Sequence, residues 1–125
     1  MNISILLLFV GLLGSFSPRE IAFEEHGIAS YYHYSLKGNR MANGERYNPA
    51  EYTCAHPSLP FGTLLSVTRK DDPTKVVMVT VTDRGPFVEG RIIDLSRKAA
   101  EEIGLLHDGI AEVVITIVSD DAVTP

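Results

Sequence analysis

Two stretches, Val76 to Thr82 and Glu112 to Val118, are apolar on both faces of an extended strand, and this limits the possible folds more than any other feature. Side chains alternate along a strand, so Val77, Val79 and Val81 share one face, as do Val113, Ile115 and Ile117. Val76, Met78, Val114 and Val118 occupy the opposite faces. Strands of this kind are covered on both sides or closed into a barrel, and a flat open sheet fits less well. Ile28 to Tyr34 and Leu64 to Arg69 are further β-branched or aromatic runs bounded by turn residues. Asp71, Asp72 and Pro73 read as a hairpin turn. One short helix is expected, with Ser96 as N-cap, Arg97 to Ile103 at helical spacing and Gly104 as its stop. Lys37 to Gly62 shows little periodicity, which in a small domain points to a functional loop.

The chain is a single domain's worth of protein at 125 residues. Residues 1 to 17 carry no charge, and the apolar run from Ile3 to Leu13 has the length of a signal-peptide core but not of a membrane span. Residues 1–22 therefore read as a leader with its cut between 14 and 22, an uncleaved anchor being the alternative; either way the domain is exported, periplasmic or extracellular. The domain itself is placed at 27–119, with 120–125 as a flexible tail. No Cys lies in the leader, so no lipid anchor is expected. All 11 basic and 16 acidic residues lie beyond position 17, and the net charge of -5 argues against nucleic acid as partner. The single cysteine, Cys54, excludes an internal disulfide, so packing must hold the fold.

Three side chains are candidates for chemistry. Asp83 ends an apolar strand just before the turn Arg84-Gly85-Pro86-Phe87. A carboxyl held there against Val81 and Phe87 would lose solvation and could donate a proton near neutral pH. The alternative is that Asp83 only caps its own turn. Glu45 follows the Asn43-Gly44 turn at a loop tip, either to meet a ligand or as a solvated surface acid. His56, before Pro57, sits in extended backbone and either orients a carboxylate or a sugar hydroxyl, or packs as a core histidine. A Cys54–His56 thiol dyad lacks a third orienting group. No metal-ligand spacing occurs, and Asp94 reads as a helix cap. Tyr31, Tyr32, Tyr34, Tyr47, Tyr52, Phe61 and Phe87 fall outside the strongest strands, where aromatic rings either stack on sugars or fill a core.

Taken in order, Gly27-Ile28-Ala29-Ser30-Tyr31-Tyr32, Ala42-Asn43-Gly44-Glu45, Ala55-His56-Pro57-Ser58-Leu59-Pro60-Phe61-Gly62-Thr63, Asp83-Arg84-Gly85-Pro86-Phe87 and Gly90-Arg91-Ile92-Ile93-Asp94-Leu95-Ser96 resemble the RlpA family of peptidoglycan lytic transglycosylases. The resemblance runs from about Gly27 to Ser119. It implies a mainly β fold, a six-stranded double-psi β-barrel with one or two short helices, related to expansins and barwin-like proteins. It also implies cleavage of the β-1,4 bond between N-acetylmuramic acid and N-acetylglucosamine in peptide-poor glycan strands, without cofactor or metal. On this reading Asp83, Glu45 and His56 are catalytic, and Arg40, Asn43, Arg46, Tyr32, Arg84, Phe87 and Arg91 bind the strand. Many relatives have a lipobox Cys and a C-terminal glycan-recognition domain, and neither is found in this sequence. The rival reading is a non-catalytic, expansin-like wall-binding module. A barwin-type defence protein or an enzyme inhibitor is a third, though such relatives lean on disulfides.

Overall fold

The computed structural model describes residues 23–119. The expected leader and the 120–125 tail lie outside the described residues. The chain forms strands β1 (Glu24–Tyr31), β2 (Thr53–Ala55), β3 (Leu64–Arg69), β4 (Val76–Asp83), β5 (Arg91–Leu95) and β6 (Ala111–Ser119). A 3-10 turn, Tyr34–Leu36, and two short helices, α1 (Arg97–Glu102) and α2 (Leu105–Asp108), complete it.

The six strands close into a barrel in the order β1-β5-β2-β4-β3-β6. β1 runs parallel to β5 and β2 parallel to β4, whereas β1–β6, β3–β4, β3–β6 and β2–β5 are antiparallel. This is the double-psi barrel that the resemblance implied. Among the described strands, closure leaves no free sheet edge.

Alternation does most of the work inside. Leu65 and Val67 of β3, Val77, Val79 and Val81 of β4, Ile93 and Leu95 of β5, and Val113 and Ile115 of β6 fill the barrel and are almost wholly buried. Ala99, Ala100, Ile103 and Leu105 of the helical segment seal one side of the same core. Ser96 caps α1 by accepting the Ala99 N–H at 3.3 Å, as the sequence indicated.

Arg69 is the exception on the inner face of β3. Its guanidinium is buried, bidentate on Asp71 at 2.9 and 2.8 Å, and bonded to Asp108 at 2.8 Å and to the Ile103 carbonyl at 3.0 Å. A buried charge is tolerable because each face of the fork has an acceptor.

Three expectations change, and one pair of alternatives is decided. The first strand starts four residues earlier than the run from Ile28 and ends at Tyr31, because His33 turns the chain into the 3-10 segment and accepts the Ser35 N–H. The outer apolar residues Val76, Met78 and Val118 are not covered: Met78 is 47% exposed. Barrel closure, not a second layer, explains their strands. Asp94 does not cap α1; it lies within β5 and takes a hydrogen bond from Ser30 Oγ. The 37–62 segment is largely irregular as expected, but it contains β2, three residues too short to leave a period-2 signature.

Because Ile93 is fully enclosed and Met78 is not, Ile93→Ala is expected to lower unfolding free energy by about 2–5 kcal/mol and Met78→Ala by less than about 0.5 kcal/mol, read from urea midpoints.

Candidate functional site

The site is built by strand register. Ser30 of β1 stands beside Asp94 of β5, Asp94 beside Ala55 of β2, and Ala55 beside Asp83 of β4. Directly paired residues point to the same face of a sheet. Four neighbouring strands thus bring a hydroxyl and two carboxylates, 64 residues apart at the extremes, into one row, with the small buried Ala55 as spacer. A bulge between Cys54 and Ala55 skips Thr82 and is what brings Asp83 into line with Ala55.

Asp83 is held by three donors. Its Oδ1 accepts the backbone N–H of Ala42 at 2.8 Å and of Arg84 at 2.9 Å, and its Oδ2 accepts the hydroxyl of Tyr32. The first of these ties it to the long loop, which docks further through Asn43 N–H on the Thr82 carbonyl at 3.1 Å and the buried Met41 side chain on Thr82. The Gly85 φ of +122° after Arg84 lies where a side chain is disfavoured, so Gly is needed to turn the chain away from the carboxylate. The expected hydrophobic rim is not there in the form anticipated. Val81 points into the barrel, and Phe87 is 83% exposed, so it does not wall in Asp83. Turn capping through the Arg84 N–H is present, together with contacts from two other elements.

Tyr32 is half-buried and tilted against Tyr47, with ring centroids 4.5 Å apart. Tyr47 is buried in turn, and its hydroxyl accepts the Arg97 N–H at 3.0 Å. Burial, then the hydrogen bond to Asp83 and its charge, push the Tyr32 hydroxyl far above the usual phenol range. It is a fixed donor at working pH. Burial likewise raises Tyr47, opposed by the Arg97 contact.

Glu45 lies on the same loop as Ala42, exposed. Asn43 Nδ2 donates to its Oε1 at 3.1 Å, and its own N–H donates to Asn43 Oδ1 at 2.9 Å. Gly44, at φ +95°, makes this tight reversal possible. Arg40 and Arg46 face each other across an isolated bridge and brace the loop, Arg40 on the Gly44 carbonyl at 2.7 Å and Arg46 on the Gly38 carbonyl at 3.0 Å.

His56 is placed differently from Glu45. Its side chain is buried, with Nε2 on Glu25 Oε1 at 2.9 Å, and Nδ1 accepts the N–H of both Ser58 and Leu59 at 3.1 Å. That pattern makes Nε2 the protonated nitrogen and leaves neither nitrogen unpartnered. Its backbone N–H donates to the Asp83 carbonyl at 3.1 Å, so it braces the strand end that carries the acid. Arg84 braces the same loop: it donates to the carbonyls of His56 and Leu59 at 3.3 and 2.8 Å and lies 4.1 Å above the Phe61 ring.

Of the aromatics, Tyr47 is buried and Tyr31 and Phe61 pack on the core, while Phe87, Tyr34 and Tyr52 are exposed. A shallow hollow of about 320 Å³ beside Ser30 is lined by Tyr31, His33, Arg91 and Asp108. Burial pushes the Cys54 thiol well up, with Asp94 adding to it, so Cys54 is a packed thiol and not a nucleophile. Sequence reasoning missed Ser30 and Asp94. Their signal was the alternation Ile93-Asp94-Leu95, which turns Asp94 to the face opposite two buried residues. It also missed Glu25, whose partner is 31 positions away.

Residues 24–115 match the family model described as lytic transglycolase. The chain belongs to that family. Over 105 residues it is 46% identical to the endolytic peptidoglycan transglycosylase RlpA of Pasteurella multocida, covering 84% of this chain and 35% of that protein. Over 92 residues it is 49% identical to a probable endolytic peptidoglycan transglycosylase RlpA of Synechocystis, covering 74% and 28%. The chain thus spans about a third of the length of these curated relatives. Among solved structures, an apo expansin of Clavibacter michiganensis matches with TM-score 0.60 at 29% identity, over 80% of this chain and 52% of that one. A mutant of that expansin in complex with cellohexaose matches with TM-score 0.60 at 26% identity, over 82% and 54%. The Streptomyces papain inhibitor, TM-score 0.63 at 21% identity over 78% and 96%, shares the fold.

Two outcomes are expected. Cys54 should resist alkylation at pH 8 in the native protein and react fully in denaturant, followed by mass spectrometry. His56→Ala should cost about 1–3 kcal/mol of stability by orphaning the Ser58 and Leu59 N–H groups and the Glu25 carboxylate, seen as a lowered melting temperature.

Proposed function

We propose that this domain is an exported endolytic lytic transglycosylase that cuts the β-1,4 bond between N-acetylmuramic acid and N-acetylglucosamine in peptide-poor peptidoglycan strands. The observation that carries the reading is Asp83: a carboxyl fixed by three donors, in a row with Asp94 and Ser30, in a chain of the lytic transglycolase family. Export is supported by the apolar leader and by the substrate, which lies outside the cytoplasmic membrane.

The chemistry needs one proton carrier. Asp83, protonated, gives its proton to the glycosidic oxygen as the C1–O bond breaks and positive charge develops at C1. The resulting carboxylate then takes the proton of the muramic C6 hydroxyl while O6 bonds to C1, closing a 1,6-anhydro ring. Hydrolytic glycosidases use a second carboxylate to activate water or attack C1; here the sugar's own hydroxyl is the nucleophile. Glu45 on the loop and Asp94 on β5 are the carboxylates assigned to stabilise the developing cation. His56 and Arg84 hold the segment that presents Asp83. The exposed Phe87 ring offers a stacking surface for a sugar, and Asn43, Arg40 and Arg46 on the loop and Arg91 on β5 supply polar and cationic groups, a cation being the natural partner of the lactyl carboxylate on a muramic residue without its peptide.

The cellohexaose-bound expansin favours one rival, a wall-binding module that cuts nothing. Mass spectrometry of peptide-free glycan strands after incubation separates the two: 1,6-anhydro ends mark catalysis, and unchanged strands that retain the protein mark binding alone. Asp83→Asn should reduce the appearance of anhydro ends by roughly 100-fold or more with the fold intact by circular dichroism.

A further inference from the structure

Within that reading, we propose that Tyr32 is a positioning residue: it acts on the reaction through Asp83 and does not bind sugar. The argument is a count of lone pairs. A carboxylate offers about four acceptor sites, two on each oxygen. On Asp83, Oδ1 already holds two N–H donors, from Ala42 and Arg84. Oδ2 holds one, the Tyr32 hydroxyl. The travelling proton therefore has one seat, the second lone pair of Oδ2, on the same atom that Tyr32 grips.

Tyr32 is suited to this grip and unsuited to a sugar. One ring face is occupied by Tyr47, itself anchored through its hydroxyl to the first peptide N–H of α1. The hydroxyl is spent on Asp83. The charged and titratable groups around it are Asp83 on β4, Asp94 on β5 and the Cys54 thiol on β2, and burial holds that thiol protonated. None of these removes the phenol proton, since ionisation would set a phenolate beside two carboxylates in a half-buried site. Tyr32 thus remains a donor through both half-reactions. It stabilises the carboxylate left after the first proton transfer, and it orients Oδ2 for the return proton from the C6 hydroxyl.

The test is Tyr32→Phe, which keeps the ring on Tyr47 and removes only the hydroxyl. Turnover of peptide-free glycan should fall by roughly 10-fold or more, as expected for a misplaced general acid, with KM changed by less than about two-fold. A donor to the charged form is lost, so Oδ2 should hold its proton to higher pH. The alkaline limb of the pH–rate profile should move up by about one pH unit, the value of one hydrogen bond to a charged group. Carbon-13 NMR of the Asp83 carboxyl, followed from pH 2 to 8 without substrate, should show the same upward move of its midpoint in Tyr32→Phe relative to wild type. A raised KM with unchanged kcat, or a carboxyl titration identical in the two proteins, would overturn the proposal. Because the NMR readout needs no turnover, it stands even if wild type forms no anhydro ends, an outcome that would sink the proposed reaction and not the Tyr32–Asp83 coupling.

Discussion

The site depends on a strand of three residues. Among the described strands β2 is the one that pairs with both β4 and β5, and Ala55 at its end sets the lateral spacing of Asp83 and Asp94. A strand this short has little pairing energy of its own, so its place is secured from outside. Thr53 and Ser96 are joined backbone to backbone, Tyr52 and Thr80 likewise, and Cys54 is sunk among Leu95, Val81 and the rest of the core. The helix N-cap takes part as well, since Ser96 Oγ donates to the Glu51 carbonyl at 2.6 Å. A shift of β2 by one residue would turn Ala55 inward and separate the two acids, which is why register here is tied to chemistry.

Around that row the molecule divides its polar groups between two tasks. Some hold the frame: Arg84 and His56 clamp the 56–61 turn, Arg69 closes the far end, and Arg40 and Arg46 staple the long loop. Others stay near solvent: Glu45, Arg91 and Tyr34 carry side chains that are exposed or partly so. In a chain of net negative charge, Arg40 and Arg46 on the loop and Arg91 on β5 place cations locally.

Much of the barrel was legible in the amino-acid order. The limits of β3, β4 and β6 follow from alternation to within a residue, and the Ser96 cap from its type and spacing. What alternation could not give was closure. Val76 and Met78 look the same whether a second layer covers them or the sheet curls shut, and only the pairing of β1 with both β5 and β6 decides it. Asp83 was visible because a turn motif advertised it. The donors that hold it were not, since Tyr32 is 51 positions away and Ala42 contributes a peptide N–H that any residue would have. His56 shows the reverse case. Its residue type suggested chemistry, and its surroundings, Glu25 and two peptide groups, turn it to bracing.

The lone sulfhydryl at position 54 has a consequence for how copies of this protein meet one another. A chain with one accessible thiol in an oxidising medium joins a second copy, or any other free thiol, through a mixed bridge. Here Cys54 is 1% exposed and sits behind the row of acids. Any such bridge would first require the barrel to open. Packing alone thus keeps this thiol out of covalent exchange with its surroundings.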